Sequence, residues 1–258
     1  MKKIFKYIFA GMAAMSVVAC SEDALETSPS SSVSGNELLG TATNALVSLN
    51  GVYRAMYTAG VSNSSNTHQC FGITAYNLVA AVMGEDCIMN GQGSGWCWYD
   101  CVYNVKSRYT STGWRSYDMW NGYYTWISNV NYILAEEETM SGSETEKNYV
   151  LGQAYAVRAY SYFMLAQMFS RTYKGHESEP CVPLYTEPTD IATEGKGRAT
   201  VEEVYQQITS DLDKAITMLG NSGKRKHISH INAAVASGIK ARVALEMEDW
   251  QTALDAAN

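Results

Sequence analysis

The sequence predicts an all-α fold in which helical hairpins pack around one buried central helix, with long irregular loops between the helices. The segment from Gln153 to Arg171 contains no Gly or Pro, and its apolar residues cover nearly the whole circumference of a 3.6-residue wheel. A helix that is apolar on almost every side is buried on almost every side. The strongest patterns elsewhere in the chain are also helical. We therefore expect other helices to surround this one.

The first two helices are predicted from a capping signal and from apolar spacing. Ser34 and Glu37 have the spacing of a capping box, and apolar residues then recur at helical intervals until about Gly60. A second, shorter apolar run covers residues 71–83 and is closed by Gly84-Glu85-Asp86. These features place two helices before the middle of the chain.

A third helix is predicted over residues 115–138, and a break at residues 141–146 separates it from the buried helix. Arg158 is the charged exception on the buried helix. We expect Arg158 to form a buried ion pair with a carboxylate, because an unpaired charge there is costly; an Arg158 that faces a ligand is the alternative. Three tryptophans on or beside the stripe of the third helix are expected in the core: Trp114, Trp120 and Trp126.

Two more helices are predicted after a proline-rich stretch. Residues 172–190 hold three of the four prolines and cannot be helical throughout. Thr200 and Glu203 have capping-box spacing and precede the cleanest amphipathic stripe in the sequence, which ends at Gly220. Asn232 is expected to cap an Ala-rich helix that a neighbour can approach closely.

The C-terminal residues predict a tetratricopeptide-like hairpin. Glu248-Asp249 turns the chain out of the Ala-rich helix, and Trp250 begins a further helix. No capping or stop signal occurs at Asn258, so we expect the chain to be cut short at this end.

The N-terminus predicts export and lipid anchoring. Residues 1–19 combine a basic start with an apolar run too short to span a bilayer, which is typical of a signal peptide. The small residues before Cys20 resemble a bacterial lipoprotein cleavage site, which implies that Cys20 becomes the first residue and carries the lipid. An ordinary cleavage site with an incidental Cys is the alternative. Residues 20–35 are predicted to be a flexible Ser-rich tether, and residues 36–258 the helical domain.

The charge excludes non-specific nucleic-acid binding. The formal net charge is −7. Removal of residues 1–19 takes away Lys2, Lys3 and Lys6, which leaves 16 basic against 26 acidic residues. Binding to phosphate backbones needs the opposite sign, so we predict no nucleic-acid partner.

The cysteines indicate neither a metal centre nor a complete disulfide framework. The number that follows Cys20 is five, so at least one stays free or pairs outside the chain: Cys70, Cys87, Cys97, Cys101 and Cys181. Cys97 and Cys101 lie four residues apart without a second pair at metal-finger spacing, which favours a local disulfide or plain buried thiols over zinc. We predict no metal and no cofactor.

No catalytic residue is predicted. The sequence contains neither Gly-x-Ser-x-Gly nor His-Glu-x-x-His. Glu85 and Asp86 are adjacent carboxylates, which we interpret as hydrogen-bonding groups at a helix end. His227 and His230 lie in a Lys/Arg-rich loop and are expected on a solvated face, with contact to lipid headgroups or to a transporter as the alternative.

Several segments, taken in order, resemble the SusD/RagB family of outer-membrane nutrient-binding lipoproteins of Bacteroidetes. The resemblance covers essentially the whole chain. The residues that show it are Cys20, residues 49–53, residues 84–86, the Trp120…Tyr124…Ile127…Asn131 series, residues 158–165 with Val182-Pro183-Leu184, and Asn232-Ala233-Ala234 with Asp249-Trp250. Two features differ from the family pattern. Residues 170–181 form a longer connection than the family's usual turn, and the chain is about half the family's length. The sequence therefore resembles the N-terminal half of such a protein.

The resemblance implies a SusD-like, non-catalytic role at the cell exterior. The family binds oligosaccharide, with peptide as an alternative ligand, and forms a lipid-anchored lid over a SusC-like TonB-dependent outer-membrane transporter. Two other functions stay open: a helical, surface-anchored glycan-degrading enzyme, and a tetratricopeptide-type scaffold for protein partners.

The irregular stretch between residues 87 and 113 is the candidate ligand site. Long loops without structure of their own tend to be functional. Sugar rings have flat C–H faces that stack on aromatic rings, and their hydroxyl groups bond to polar side chains. The candidate ligand-binding residues combine both kinds of group: Asn90, Trp96, Trp98, Tyr99, Asp100, Asn104 and Arg108. The alternative is that these aromatics only hold the loop against the helical core.

Overall fold

The computed structural model describes residues 39–61, 66–85, 87–93, 95–103 and 113–258. Eight helices lie in these ranges: α1 Ala42–Ala55, α2 Ile73–Met83, α3 Trp98–Cys101, α4 Trp114–Ala135, α5 Glu144–Phe169, α6 Val201–Gly220, α7 Ala233–Glu246 and α8 Trp250–Ala257. Extended pairing within the same ranges amounts to two single bridges, Thr41 with Ser141 and Pro180 with Thr200. The predicted all-α class is confirmed.

Helix α5 is the buried centre of the domain. Every residue from Tyr149 to Ala166 except Tyr160 is buried. Helices α4 and α6 pack along it, and α1 and α7 also contact it. Gly152 allows α6 to approach closely, because a Cβ at this position would lie 2.8 Å from Cγ of Leu219 and 3.2 Å from the carbonyl oxygen of Ala215. The central helix predicted from the sequence is therefore confirmed.

Arg158 forms the buried ion pair that the sequence predicted. Its Nε lies 2.7 Å from Oδ2 of Asp211 and its Nη2 lies 2.8 Å from Oδ1, so the contact joins both oxygens of the carboxylate. Nη1 donates to Oδ1 of Asn131 and to the carbonyl oxygen of Thr186, each at 2.9 Å. A buried guanidinium needs this number of partners to offset the loss of water. One side chain thereby joins α5, α6, α4 and the proline-rich segment.

The proline-rich segment is non-helical, as predicted, and side chains from the helices satisfy its backbone. Asn131 donates to the carbonyl oxygens of Tyr185 and Glu187, at 3.0 and 3.1 Å. The Tyr162 hydroxyl donates to the Tyr185 carbonyl at 2.8 Å and accepts from the Tyr185 N–H at 2.7 Å. Backbone groups outside regular structure need such partners when they are buried. The segment is thus fixed on the surface of α4 and α5.

Helix α1 ends earlier than predicted, and its predicted start is not tested. The predicted start at Ser34 and Glu37 lies outside the described residues, and the described helix begins after Thr41, whose hydroxyl accepts from the Asn44 N–H. The helix ends at Ala55 rather than near Gly60. The carbonyl oxygen of Met56, directly after the helix, accepts a hydrogen bond of 2.8 Å from the Ile73 N–H at the start of α2.

The break predicted at residues 141–146 is partly wrong. Helix α5 already begins at Glu144, and Ser143 with Glu146 forms a complete capping box. The capping-box spacing of Ser143 and Glu146 is present in the sequence, but the segment is polar throughout, so no apolar pattern marks the start of a helix there. By contrast, the capping box of Thr200 and Glu203 is present as predicted.

The C-terminal hairpin is confirmed. Asn232 caps α7 by accepting from the Val235 N–H at 3.0 Å, and Asp249 caps α8 by accepting from the Thr252 N–H at 3.1 Å. Glu248 makes the turn between the two helices in a left-handed conformation, with φ of 58°. The two helices pack against each other as a helix-turn-helix pair.

The three tryptophans near α4 divide between the core and its edge. Trp126 is buried, as predicted, whereas Trp114 and Trp120 are half-buried. Trp120 still packs against the core, where its ring meets the edge of Phe169 at 5.0 Å between centroids. None of the helices in the described ranges has the length and apolar character needed to cross a membrane.

The Arg158–Asp211 pair leads to a stability prediction. Asp211→Asn keeps the shape of the side chain but leaves Arg158 buried without a counter-charge, so the free energy of unfolding should fall by about 3–5 kcal/mol. Asp213→Asn is the matched control on the same helix, because Asp213 pairs with Lys240 at a half-exposed position. The control should lose less than about 1 kcal/mol. Urea unfolding followed by circular dichroism measures both values, and equal losses would contradict the assignment.

Candidate functional site

The irregular segment around α3 has a strained backbone. Cys97 and Tyr103, which flank α3, adopt left-handed conformations with φ of 51° and 52°. Non-glycine residues rarely adopt this conformation, and it persists where surrounding contacts hold it in place. The sequence predicted this region to be irregular throughout, but Trp98–Cys101 forms one helical turn.

Three aromatic side chains of this segment reach the solvent: Trp96 is 42%, Tyr99 is 56% and Tyr103 is 59% exposed. The Trp96 ring stacks on Phe71, with 5.7 Å between ring centroids and 16° between the planes. The hydroxyl of Tyr103 donates to the carbonyl oxygen of Met83 at the end of α2. We call Trp96, Tyr99 and Tyr103 the aromatic surface.

A buried ion pair holds this segment to the helical domain. Nη2 of Arg115, at the start of α4, lies 3.1 Å from Oδ2 of Asp100, and both side chains are almost completely buried. Arg115 also donates to the carbonyl oxygen of Gln69 at 3.0 Å and to its Oε1 at 3.3 Å. The same Oε1 accepts from the Cys97 N–H at 3.3 Å. The strained turn, the segment before α2 and α4 are therefore joined at one point.

The predicted ligand-binding residues fall into four groups. Trp96, Tyr99 and Asn90 are exposed, and Trp98 is half-buried. Asp100 is a correction: it is 4% exposed and pairs with Arg115, so it supports the segment instead of facing a ligand. Asn104 and Arg108 lie outside the described residues, as does the predicted lipid site at Cys20. No ligand contact tests the exposed members, which stay predictions.

Sequence reasoning missed Phe71, Gln69 and Arg115. Phe71 supports the Trp96 ring from beneath, and the other two hold the turn. Gln69 and Arg115 are 46 residues apart in the chain, and no local pattern indicates that they meet. Such partners are visible only once the helices have packed.

The cysteines are plain thiols, one of the two predicted alternatives. Cys97 and Cys101 are not bonded to each other, and the other three are also free in this structure. Burial raises the pKa of Cys70 to about 12, with a further rise from the nearby charge of Asp118. Burial also raises the pKa of Cys97. Within the described ranges, no cluster of His, Cys, Asp or Glu could hold a metal ion.

His230 does not lie on a solvated face, which corrects the prediction for this loop; His227 is exposed as predicted. The His230 ring is 9% exposed and stacks on Tyr53 of α1, with 5.4 Å between centroids and 13° between the planes. Its Nδ1 lies 2.7 Å from the hydroxyl oxygen of Tyr149 on α5. The ring thus joins the basic loop to α1 and α5.

One protein-family model matches most of the described helical domain. The sequence model of a SusD-like family, described as "Starch-binding associating with outer membrane", matches residues 83–245. A search of curated proteins gives no significant match to this chain.

Solved structures of the same kind share the fold. A "SusD-like carbohydrate binding protein" of Bacteroides vulgatus ATCC 8482 is 27% identical with a TM-score of 0.70, over 84% of this chain and 44% of that one. A "putative sugar binding protein" of the same organism is 24% identical with a TM-score of 0.66, over 85% and 45%. A "laminarin binding SusD-like protein" is 23% identical with a TM-score of 0.60, over 84% and 42%. This chain spans less than half the length of these relatives.

The buried position of His230 leads to a pH prediction. Burial lowers the pKa of its imidazole from the ordinary 6.5, and nearby positive groups lower it further. The titratable and charged groups around the ring are Tyr53, Tyr149, Arg225, Lys226 and His227. A pH titration by ¹⁵N-edited NMR should therefore show this imidazole gaining its proton below about pH 6.5.

Because the pKa of His230 is lower in the folded protein than in the unfolded chain, the stability of the fold depends on pH. The unfolded chain takes up the His230 proton at a higher pH than the folded protein, so the contribution of this residue to stability is complete above about pH 6.5 and falls as the pH drops towards the folded pKa. A His230→Gln variant should lose less stability than the parent on acidification from about pH 7 to about pH 5. A midpoint at or above the ordinary value would contradict the burial of this ring.

Proposed function

This chain belongs to the SusD-like family, and from that membership we propose that it is a glycan-binding, non-catalytic lipoprotein of the outer membrane. In this proposal residues 1–19 are removed, Cys20 carries the lipid, residues 20–35 form the tether, and residues 36–258 are the N-terminal helical domain of the binding protein. The domain faces the cell exterior and delivers its glycan to a SusC-like TonB-dependent transporter. The family description, with its starch binding and outer membrane, supports the proposal.

The aromatic surface is the observation that carries the binding step. Trp96 rests on Phe71 on one side and is 42% exposed, so part of its ring remains available for a ligand. A flat aromatic face and the C–H face of a sugar ring bury apolar surface against each other. Tyr99 and Tyr103 add exposed hydroxyl-bearing rings in the same short segment. The Arg115–Asp100 pair fixes this segment before ligand arrives, which reduces the entropy lost on binding.

The carboxylates in this region support binding without catalysis. Hydrolysis of a glycosidic bond ordinarily uses two carboxyl groups that face each other across the bond. Asp100 is buried against Arg115, and Asp118 is buried in α4. Glu85 is exposed at the end of α2, while Asp86 lies outside the described residues. The enzymatic alternative is tested by incubating glycan with the purified protein and measuring released reducing sugar.

A protein-binding role is the second candidate, and the C-terminal hairpin favours it. Leu245, Trp250 and Leu254 of α7 and α8 are each more than half exposed. Trp250 and Leu254 lie four residues apart on one face of α8, and adjacent exposed apolar side chains mark surfaces that other proteins cover. This face suits contact with a partner chain such as the transporter, and it leaves the aromatic surface available for glycan.

The proposal predicts that one tryptophan matters for glycan affinity and another does not. Trp96→Ala should weaken binding of soluble glycans at least about tenfold, or about 1.4 kcal/mol, because a large ring at a contact centre is lost. Trp250→Ala is the matched control, since Trp250 is 63% exposed and lies on α8. Calorimetric titration of the purified protein with starch and laminarin oligosaccharides, followed by a wider panel, measures both effects.

Two outcomes would contradict the proposal. If neither variant changes the affinity of a glycan that the parent binds, the aromatic surface is not the site. If the parent binds no glycan in the panel but Trp250→Ala abolishes capture of a purified SusC-like transporter, the protein-binding candidate replaces it.

A further inference from the structure

A cleft lies between α1, the start of α2 and the loop that follows α6. It has a volume of about 540 Å³ and is lined by Asn50, Tyr53, Arg54, Met56, Tyr57, Ile73, Thr74, His227, Ser229 and His230. Ligand pockets commonly have volumes of about 300–1,000 Å³. The lining contains a guanidinium and two imidazoles but no carboxylate. We call it the basic cleft.

The hydrogen bonds of the two imidazoles use Nδ1 of each ring. Nδ1 of His227 accepts from the Ser229 N–H at 3.2 Å. The Tyr149 hydroxyl oxygen accepts from the Lys226 N–H at 2.9 Å and lies 2.7 Å from Nδ1 of His230. A neutral imidazole with Nδ1 as acceptor carries its hydrogen on Nε2. No described residue bonds Nε2 of either ring, so a ring whose Nδ1 accepts offers its Nε2–H to a ligand.

Arg54 adds a third unused donor. Its side chain is exposed, and its guanidinium forms no hydrogen bond or ion pair with any residue that the structure describes. Positive charge also dominates the loop that supplies the two imidazoles, because residues 224–230 contain three basic and no acidic residues in a chain of net charge −7. Unpaired donors and an excess of positive charge together favour an anionic ligand.

We propose that the basic cleft binds the carboxylate-bearing ring of a hexuronic acid unit in an acidic glycan. The fork of Arg54 matches the planar carboxylate in a way that a single ammonium does not. The Nε2–H groups of His227 and His230 donate to the same anion. Tyr57, which is 65% exposed, offers a ring face to the sugar, and the Asn50 amide bonds its hydroxyl groups.

The walls of the basic cleft are held in place before a ligand binds. The Tyr53 hydroxyl donates to Oε1 of Gln153 at 2.8 Å, and Gln153 donates to the Tyr149 carbonyl at 2.6 Å. Tyr53 also carries the His230 ring on its face and accepts from the Ile231 N–H at 3.3 Å. Fixed donors lose little freedom on binding, so their attraction for an anion is kept.

The basic cleft also adjoins the aromatic surface along the chain. Ile73 lines the cleft, and Phe71, two residues earlier, carries the Trp96 ring. This inference rests on the proposed glycan-binding function and adds a charge preference to it. The aromatic surface accepts a sugar face whatever its charge, whereas the cleft selects a unit that bears a carboxylate.

The test compares two ligands of the same shape that differ in charge. The purified protein is titrated calorimetrically with trigalacturonic acid and with its methyl ester. The acid should bind at least about tenfold more tightly than the ester, because charged hydrogen bonds are stronger than neutral ones. Arg54→Gln should remove this difference. Arg171→Gln is the control, because Arg171 is also exposed and lies after α5. The imidazole signals of His227 and His230 should shift with the acid and not with the ester.

Four results would overturn the inference. Equal affinity for acid and ester, in a protein that binds both, would remove the charge preference while leaving the proposed function intact. A preference that survives Arg54→Gln would place the anion elsewhere. Inorganic phosphate that binds in an Arg54-dependent manner, with no binding of the acid, would indicate a phosphate site. If neither the acid nor the ester binds while starch or laminarin oligosaccharides do, the inference fails and the proposed function stands; if none of these glycans binds, both fail. Unchanged thermal unfolding of Arg54→Gln confirms that the variant is folded.

Discussion

The ion pair between Arg158 and Asp211 is the constraint on which the helical domain depends. Arg158 is buried on a helix that is apolar on almost every side, where an unpaired guanidinium would be very costly. The four hydrogen bonds of Arg158 form only if α6, α4 and the proline-rich segment all occupy their places. The pair therefore specifies the arrangement of these elements, while the surrounding apolar side chains supply most of the favourable free energy.

The same chemistry recurs, at smaller scale, beneath the aromatic surface. Arg115 and Asp100 are both buried, and together they hold a turn that contains two left-handed residues. In the first case a buried cation fixes helices to one another; in the second it fixes an irregular segment to a helix. The strained turn can expose Trp96 because its supports are rigid. Stable helices and exposed aromatic rings thus depend on each other, because the helical scaffold holds the strained segment in place.

Local patterns predicted most of the helices, and long-range contacts account for most of the errors. The capping boxes, the amphipathic stripe of α6 and the apolar circumference of α5 lie within a few residues, so the sequence displays them directly. Even Arg158 could be assigned an ion pair, because burial of a charge requires one, but its partner could not be named. Asp100 and His230 were misjudged for the same reason. Their partners lie 15 and 81 residues away, and a polar residue in a polar stretch of sequence gives no indication that it is buried.

We propose that this protein receives glycan at the exposed aromatic segment, which a buried ion pair holds in place. A crystal structure of the protein with a bound oligosaccharide would locate the sugar. We expect a sugar ring parallel to the Trp96 indole, on the side opposite Phe71, with α4 and α5 unchanged. A sugar bound on another part of the domain, with Trp96 in contact with Phe71 alone, would contradict it.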